Sequence, residues 1–219
     1  MSITYALYQY LKDDGSFDYD RYVSEQVAAN AKKLRWQWVH PNTIDAICRC
    51  LVSYIPSPQF GLCHGTRRGV EQELFKQHFP DCVVLGTEIA PTSERFSDTI
   101  QWDFHDVKDE WINRADFVYS NSLDHSYDPQ VAVDSWMKEL SKTGLCFVEW
   151  WSSAQANAKA TSVDCFIATV EECRKLLSEW GRLSDTPYSI VDVLTGVSSR
   201  IKKLRAGREG VVFVMAKME

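Results

Sequence analysis

The sequence contains no long apolar run and no paired cysteines, and these absences narrow the classes of protein to consider. No stretch reaches the length of about eighteen apolar residues that a membrane-spanning helix needs. Residues 1–16 have neither the basic segment nor the apolar core of a secretory signal. The seven cysteines form no C-x-x-C pair, which predicts reduced thiols rather than disulfides or a zinc site. We therefore expect a cytoplasmic protein with no membrane contact and no metal requirement.

The sequence also has fewer basic than acidic residues. The chain has 24 lysines and arginines against 30 acidic residues, a net charge of -6. Nucleic-acid binding relies on a basic surface, so the composition argues against such a partner. The local exception is a basic stretch near the C-terminus, which contains Arg200, Lys202, Lys203, Arg205 and Arg208. Such a run is typical of a solvated loop, and recognition of an anionic acceptor is the alternative.

The sequence does contain enough apolar residues for a folded core. It has 219 residues, of which 45% are hydrophobic, and no internal repeat, so we expect one domain over residues 1–219. Residues 18–54 have helical character, interrupted at Pro41, and Asn42 or Thr43 is expected to cap the second helix. A Pro-Ser-Pro sequence ends this N-terminal segment, residues 1–58, which is expected either to cover a ligand site as a lid or to pack on one edge of the remaining fold.

From residue 59 onwards, strand-like and helix-like segments alternate. The predicted strands are QFGLCH, CVVLGTE, TIQWDF, ADFVYSNS, LCFVEWW, YSIVDVLTGV and EGVVFVMAKM. Helices are predicted over residues 70–79, over residues 128–144 with Gly144 as the stop, and over residues 169–181 with Gly181 as the stop. This alternation predicts a three-layer α/β fold with a mainly parallel seven-stranded sheet. The last two strands lack a helix between them and are expected to form an antiparallel hairpin.

The first of these strands ends in a glycine turn. Gly65 and Gly69 bracket Thr66, Arg67 and Arg68 immediately before a helix. Small residues at a helix N-terminus allow backbone N–H groups to approach a polar ligand group. The turn therefore predicts a ligand site, and a tight turn without a ligand is the alternative.

The next two strands end in acidic residues. Glu88 follows Gly69 by 19 residues, close to the spacing of about twenty at which an acid binds a ribose diol. Its alternative is an exposed acid at a strand end. Asp103, followed by Phe104, suits the amino group and ring of adenine, and a helix cap is the alternative. The turn and Glu88 together favour a cofactor that contains adenosine.

The segment after the fourth strand carries a family resemblance. Residues 121–129 read NSLDHSYDP, and a helix and Gly144 follow before the fifth strand. With the terminal hairpin, residues 59–219 resemble the class I S-adenosylmethionine-dependent methyltransferases. The chain departs from the family motif acid-x-Gly-x-Gly-x-Gly, because Cys63 stands at the acid position and Arg67 at the middle glycine.

The resemblance implies S-adenosylmethionine as the cofactor and assigns its site by position. The implied cofactor-binding residues are Gly65, Thr66, Arg67, Gly69, Glu88, Ile89, Asp103, Phe104, Asn121 and Ser122. The turn would line the methionine and ribose, residues 88–89 the ribose, residues 103–104 the adenine and residues 121–122 the sulfonium. Arg67 is expected to pair with the cofactor carboxylate or, alternatively, to point to solvent.

Methyl transfer from a sulfonium needs mainly an aligned acceptor and a dry site, so a general base is optional. His125, next to Asp124, is the best-placed candidate base, and packing or helix capping is its alternative. His64 and His105 also lie near strand ends and have weaker claims. Glu149 and Trp150 end the fifth strand and are expected to line the acceptor pocket or, alternatively, the core.

The sequence thus predicts a methyltransferase that acts on an oxygen or nitrogen of a small molecule or sugar derivative. A non-catalytic methyltransferase-like subunit is the first alternative, suggested by the altered glycine motif. A nucleic-acid methyltransferase is the second. It is disfavoured because the chain is acidic and lacks the Asn/Asp-Pro-Pro-Tyr/Phe tetrapeptide that receives a flipped base.

Overall fold

The computed structural model describes residues 5–151, 159–197 and 210–218. The basic stretch with Arg200 to Arg208 lies outside these ranges. The strands are β1 (Ala6–Leu7), β2 (Phe60–His64), β3 (Val83–Glu88), β4 (Thr99–Gln101), β5 (Ala115–Ser120), β6 (Leu140–Trp151), β7 (Phe166–Ile167), β8 (Tyr188–Val197) and β9 (Gly210–Lys217). The helices are α1 (Tyr19–Lys33), α2 (Pro41–Tyr54), α3 (Val70–His78), α4 (Pro129–Glu139) and α5 (Val170–Leu183). None of the helices in these ranges has the length and apolar character to cross a membrane.

Seven strands form one sheet in the order β4-β3-β2-β5-β6-β9-β8. The five strands from β4 to β6 are parallel to their neighbours, whereas β9 pairs antiparallel with both β6 and β8. The predicted mainly parallel sheet with a C-terminal antiparallel hairpin is confirmed. The chain leaves β2 towards β3 and β4 and later continues on the other side with β5. The crevice between the carboxyl ends of β2 and β5 is therefore the switch point at which such sheets bind ligands.

Helices cover both faces of the sheet, because side chains on successive strand positions point to opposite faces. One apolar cluster contains Trp136 and Leu177 and packs α4 and α5 against the sheet. The other contains Ile44 and Phe75 and packs α2 and α3 against the opposite face. The predicted three layers are confirmed.

Helix α1 belongs to neither layer and lies across loops at the carboxyl ends of the strands. The hydroxyl of Tyr19 donates to Oδ2 of Asp103 at 2.9 Å, and Nε2 of Gln26 donates to the carbonyl of Val163 at 3.1 Å. Tyr22 packs in a separate small cluster of buried residues, beside the two-stranded sheet of β1 and β7 that the sequence did not predict. The N-terminal segment thus reaches the edge of the sheet at which a ligand is expected.

The structure corrects two predicted helix ends. Helix α4 stops at Glu139, and the following residues up to Gly144 extend β6 instead. A side chain at Gly144 would come within 2.5 Å of the carbonyl oxygen of Ala115, so glycine here permits close strand contact rather than stopping a helix. Helix α5 continues past Gly181, whose missing side chain leaves room for the backbone of Tyr188.

The start of α2 also differs from the prediction. The helix begins at Pro41, and Nδ1 of His40 accepts the backbone N–H of Asn42 at 3.1 Å. Proline suits the first position of a helix because its missing N–H has no partner there anyway. Neither Asn42 nor Thr43 is therefore the cap.

Candidate cofactor and acceptor site

Two adjoining cavities open at the switch point. The space open to a water-sized sphere is about 50 Å³ in the first cavity and about 300 Å³ in the second. The second therefore reaches the lower end of the size range of small-molecule sites, about 300–1,000 Å³, whereas the first is smaller. The residues that line both cavities are Lys33, Gly65, Arg67, Ser122 and His125.

Most of the implied cofactor-binding residues face the first cavity. They are Gly65, Arg67, Glu88, Ile89, Asp103, Phe104 and Ser122. Thr66 and Asn121 line the second cavity, and Gly69 lines neither of the two as the described residues define them. The fold thus brings together the ends of β2, β3 and β5 and the loop after β4, as the sequence analysis expected of a parallel sheet.

The glycine turn keeps its backbone shape despite the arginine in its middle. Arg67 has φ 50°, in the left-handed region that favours glycine, and Gly65 and Gly69 have φ 73° and 78°. A non-glycine residue there costs about 1–2 kcal/mol, so tertiary contacts must hold Arg67 in place. One of them is a hydrogen bond from Nη1 of Arg67 to the carbonyl of Trp36 at 3.4 Å.

The backbone N–H groups of the turn bind protein rather than the cavity. Those of Gly65 and Thr66 donate to the carbonyl of Thr87 at 2.9 and 3.0 Å, and that of Gly69 donates to Thr66 at 3.1 Å. The prediction that these N–H groups meet a polar ligand group is therefore wrong for these three residues. The turn contributes its shape and its side chains instead.

Glu88 is buried, with 6% of its surface exposed, so the alternative of an exposed acid is wrong. Its Oε1 accepts the N–H of Ala90 at 2.9 Å. Burial raises the pKa of Glu88, and the backbone N–H of Ala90 and the charge of Arg67 oppose that rise. Since each carboxylate oxygen accepts two hydrogen bonds, Glu88 keeps capacity for the hydroxyls of a ligand in the first cavity.

Asp103 is the centre of a hydrogen-bonded network. Its Oδ1 lies 2.6 Å from Nδ1 of His105, and its Oδ2 accepts the hydroxyl of Tyr19. Burial raises the pKa of Asp103, but the hydrogen bonds from His105 and Tyr19 outweigh burial and hold the pKa below its usual value. Asp103 therefore stays ionised, and an adenine amino group would have to share it with protein donors.

His105 continues this network to the loop after β5. Its Nε2 lies 2.7 Å from Oγ of Ser126, which also accepts the N–H of Asp128 at 3.1 Å. The order Asp103–His105–Ser126 has the sequence of contacts of a catalytic triad, but Ser126 is fully buried and no substrate can reach it. The network therefore fastens two loops of the site, and His105 is not the base.

His125 is held in an orientation that suits a base. Its Nδ1 lies 2.7 Å from the carbonyl oxygen of Val163, which can only accept a hydrogen bond. Nδ1 therefore carries the proton, and Nε2 of the neutral ring is left as an acceptor. The side chain is 23% exposed and lines both cavities, so it lies where cofactor and acceptor would meet.

The end of β6 supplies the expected acceptor-side residues. Glu149 and Trp150 are both buried, as the core interpretation expects, and both also line the second cavity. Oε2 of Glu149 accepts the hydroxyl of Tyr119, and Oε1 accepts the indole N–H of Trp151 at 2.9 Å. Burial raises the pKa of Glu149 to about 7.

A second buried carboxyl, which the sequence did not indicate, lies in this cavity. Glu71, in the first turn of α3, is 6% exposed, and its Oε2 has no hydrogen-bond partner among the described residues. Burial raises the pKa of Glu71 to about 7. Burial and then the charge of Glu71 raise the pKa of the Cys63 thiol. Cys63 stands where the methyltransferase motif has an acidic residue. An acid at the start of a helix is favoured by the helix dipole alone, so its sequence context gave no signal of a site.

The N-terminal segment contributes to both cavities. Tyr22, Gln26 and Asn30 of α1 line the first, and Trp36 and Trp38 line the second. The two tryptophans can share a cavity because α1 has already ended at Lys33. Helix α1 therefore lines the first cavity, and its role as a lid stays a prediction.

His125 belongs to a group of side chains of the kinds that bind metal ions. Asp124, His125 and Asp164 have nitrogen and oxygen atoms within 4.8 Å of one another. Because Nδ1 of His125 is bonded to Val163, only its Nε2 is available to a metal. We predict that the purified protein contains less than stoichiometric zinc, manganese and magnesium by elemental analysis, and that EDTA leaves methyl transfer unchanged. Stoichiometric metal, or loss of turnover that metal restores, would contradict this prediction.

No protein-family model and no curated protein matches the sequence. Solved structures match it in fold. One is the 1,6-didemethyltoxoflavin-N1-methyltransferase of Burkholderia thailandensis with S-adenosylhomocysteine, at a TM-score of 0.66 and 14% identity over 95% of this chain and 94% of that one. Another is the N-methyltransferase NodS of Bradyrhizobium japonicum WM9 with S-adenosylhomocysteine, at a TM-score of 0.61 and 14% identity over 89% and 100%.

The same fold also occurs in the [4+2]-cyclase SpnF, at a TM-score of 0.58 and 13% identity over 87% of this chain and 77% of that one. The chain therefore has the class I S-adenosylmethionine-dependent methyltransferase fold, which confirms the resemblance at the level of architecture. Because a cyclase shares the fold, the reaction has to be argued from the site.

Proposed function

We propose that this protein is an S-adenosylmethionine-dependent methyltransferase that acts on an oxygen or nitrogen of a small molecule or sugar derivative. The observation that carries the proposal is the pair of cavities that meet at Gly65, Ser122 and His125. A two-substrate transfer needs two adjoining sites of this kind, with the reacting atoms at their junction. The N-methyltransferases of similar fold support it.

The residues present fit the cofactor in their chemistry. Glu88 and Phe104 of the first cavity suit the ribose hydroxyls and the adenine ring. At the turn, the buried Oγ1 of Thr66 has no partner among the described residues, and the Arg67 guanidinium is next to it in the chain. A hydroxyl and a guanidinium suit a carboxylate such as that of the methionine moiety.

The bound cofactor supplies an activated methyl group, and the chain's own residues align the acceptor and accept its proton. Nε2 of His125 is the acceptor of that proton, because Nδ1 is held by Val163. The buried indole of Trp150 and the α1 segment around Lys33 limit the access of water to the junction.

A non-catalytic methyltransferase-like subunit remains the second candidate. The observation that favours it is the turn, whose N–H groups at Gly65, Thr66 and Gly69 bind within the protein. The two candidates differ in cofactor affinity, which calorimetry with S-adenosylhomocysteine measures directly. Binding stronger than millimolar supports the enzyme, and no binding at millimolar cofactor supports the subunit.

We predict that Glu88→Ala weakens binding of S-adenosylhomocysteine by about 1.5–3 kcal/mol, or about 10–150-fold, because hydrogen bonds to a charged group are lost. Calorimetry on the folded variant checks the result. Glu94→Ala is the matched control, since this glutamate is exposed and lies in the same loop region. Equal affinity in both variants would remove Glu88 from the ribose site, and tight binding of NADH by the wild type would remove the cofactor assignment altogether.

A further inference from the structure

The second cavity combines two buried carboxyls with several indole rings. Glu71 and Glu149 are 6% and 2% exposed, and both lie close enough to Tyr119 that their charges, after burial, raise the pKa of its hydroxyl well above the usual value. Two carboxyls confined in this way repel each other once both are ionised, and each has lost much of its hydration. A bound cation, or protonation of one carboxyl, lowers this repulsion.

The carboxyls are not paired with the basic residues of the same cavity. Among the described contacts, Glu71 is bonded to the amide of Asn121 at 3.5 Å, and its other oxygen, Oε2, is buried without a partner. Glu149 is bonded only by neutral groups, the hydroxyl of Tyr119 and the indole N–H of Trp151. Neither carboxyl is therefore in a close ion pair within the described part of the chain, and the nearest charge that acts on Glu71, that of Arg67, does so from a distance.

Three cations line the same cavity, Lys33, Arg67 and Arg68. Lys33 and Arg67 also line the first cavity, and Arg67 is bonded to the carbonyl of Trp36. The two arginines come from the glycine turn, where the carboxylate of the methionine moiety is proposed to bind, and the charge of Arg67 acts on Glu71 from a distance.

Indole rings line the same cavity as the carboxyls. Trp36, Trp38, Trp150 and Trp151 all line the second cavity, and the rings of Trp38 and Trp151 meet edge to face at 6.1 Å between centroids. The face of tryptophan is the strongest of the aromatic sites for a cation. Rings and buried carboxyls thus favour the same kind of ligand.

We infer that the second cavity selects an acceptor with a positively charged amine, held between the Glu71 and Glu149 carboxyls and the tryptophan rings. This inference rests on the proposed function for the role of the cavity, and it narrows the acceptor to a compound that carries an amine. For the amine nitrogen itself to be methylated, its ammonium form first transfers a proton to Nε2 of His125, because only the neutral nitrogen has the lone pair that forms the new bond to the methyl carbon. It also disfavours an anionic acceptor, which would meet the two carboxyls directly.

Three probes of one shape test the inference: tryptamine as the cation, tryptophol as its neutral analogue and indole-3-acetate as the anion. Their affinities are measured by calorimetry, both in the free protein and with saturating S-adenosylhomocysteine. We expect tryptamine to bind at least about 10-fold more tightly than tryptophol, the range of a hydrogen bond to a charged group, and indole-3-acetate to bind most weakly.

Glu149→Gln and Glu71→Gln keep the size of each side chain and remove its charge. Each is expected to reduce the tryptamine preference to about 3-fold or less while the affinity for S-adenosylhomocysteine stays unchanged. Glu73→Gln is the matched control, because Glu73 is exposed on the same helix two residues from Glu71, and it should keep the full preference. Circular dichroism confirms that each variant is folded, and the three-probe comparison in the wild type needs no variant.

Several results would overturn the inference: equal binding of tryptamine and tryptophol, tightest binding of indole-3-acetate, no tryptamine binding at millimolar concentration, or a preference that survives both substitutions. If Glu71→Gln weakens S-adenosylhomocysteine instead, Glu71 serves the cofactor and its part in the inference is overturned. A failure of cofactor binding with an intact tryptamine preference would overturn the proposed methyl transfer and leave the cation site standing.

Discussion

Replacement of His125 by alanine is expected to lower methyl-transfer turnover by about 10²–10⁴-fold, the usual contribution of a positioned general base. The reason is the fixed orientation of the ring, with Nδ1 bonded to the carbonyl of Val163 at 2.7 Å and Nε2 left to accept a proton. The measurement is formation of S-adenosylhomocysteine with the amine or alcohol that the wild type methylates fastest.

Two further readouts separate a base from a residue that only shapes the pocket. Cofactor affinity should stay nearly constant, and the loss should fall on kcat rather than on KM. His78→Ala is the control, since His78 is 38% exposed and is paired with Asp45 away from the site. Turnover of His125→Ala close to that of the wild type would show that alignment alone drives the reaction.

Replacement of Glu139 by alanine is expected to lower the free energy of unfolding by about 1–3 kcal/mol, the cost of leaving a buried polar group without its hydrogen-bond partner. Oε2 of Glu139 lies 2.8 Å from Nε2 of His64, and both side chains have no exposed surface. Nδ1 of His64 lies 2.9 Å from the hydroxyl of Thr87. Removal of Glu139 leaves one end of a buried imidazole without a partner directly below the glycine turn, in a place that water does not reach.

Urea unfolding measures this effect. Glu171→Ala is the control, because its pair with Lys175 at 3.3 Å is exposed on α5 and is expected to contribute less than about 1 kcal/mol. The double variant His64→Ala/Glu139→Ala should lose less than the sum of the single changes, since the second substitution removes the unpaired group. A cost for Glu139→Ala no greater than that for Glu171→Ala would show that the buried pair contributes little.

The order of strands and helices could be predicted from the sequence because the strands are buried and apolar. Segments such as CVVLGTE and LCFVEWW cannot be solvated, and the helices between them force parallel pairing. Helix ends were harder to predict. The sequence predicts helix stops at Gly144 and Gly181, whereas in the structure each is a glycine because a neighbouring backbone approaches closely. Local propensity cannot distinguish these two uses of glycine, since the neighbour is distant in sequence.

For the candidate site, the sequence determined which strand ends carry polar residues. Glu88, Asp103 and Ser122 follow strands of a parallel sheet, and parallel strands bring their carboxyl ends to one edge, where these residues do line one cavity. The sequence also determined that a residue other than glycine stands in the turn at position 67. These features follow from chain order and strand polarity, which a sequence contains in full.

Only the tertiary structure decided which polar groups are still available to a ligand. The N–H groups of Gly65 and Thr66 are committed to Thr87, while the Oε2 atom of Glu71 is buried without a partner in the described ranges. It also decided that His125, rather than His64 or His105, keeps a ring nitrogen for chemistry. Availability depends on hydrogen-bond partners and on burial, and both are set by residues that are far apart in the chain and meet only when it folds.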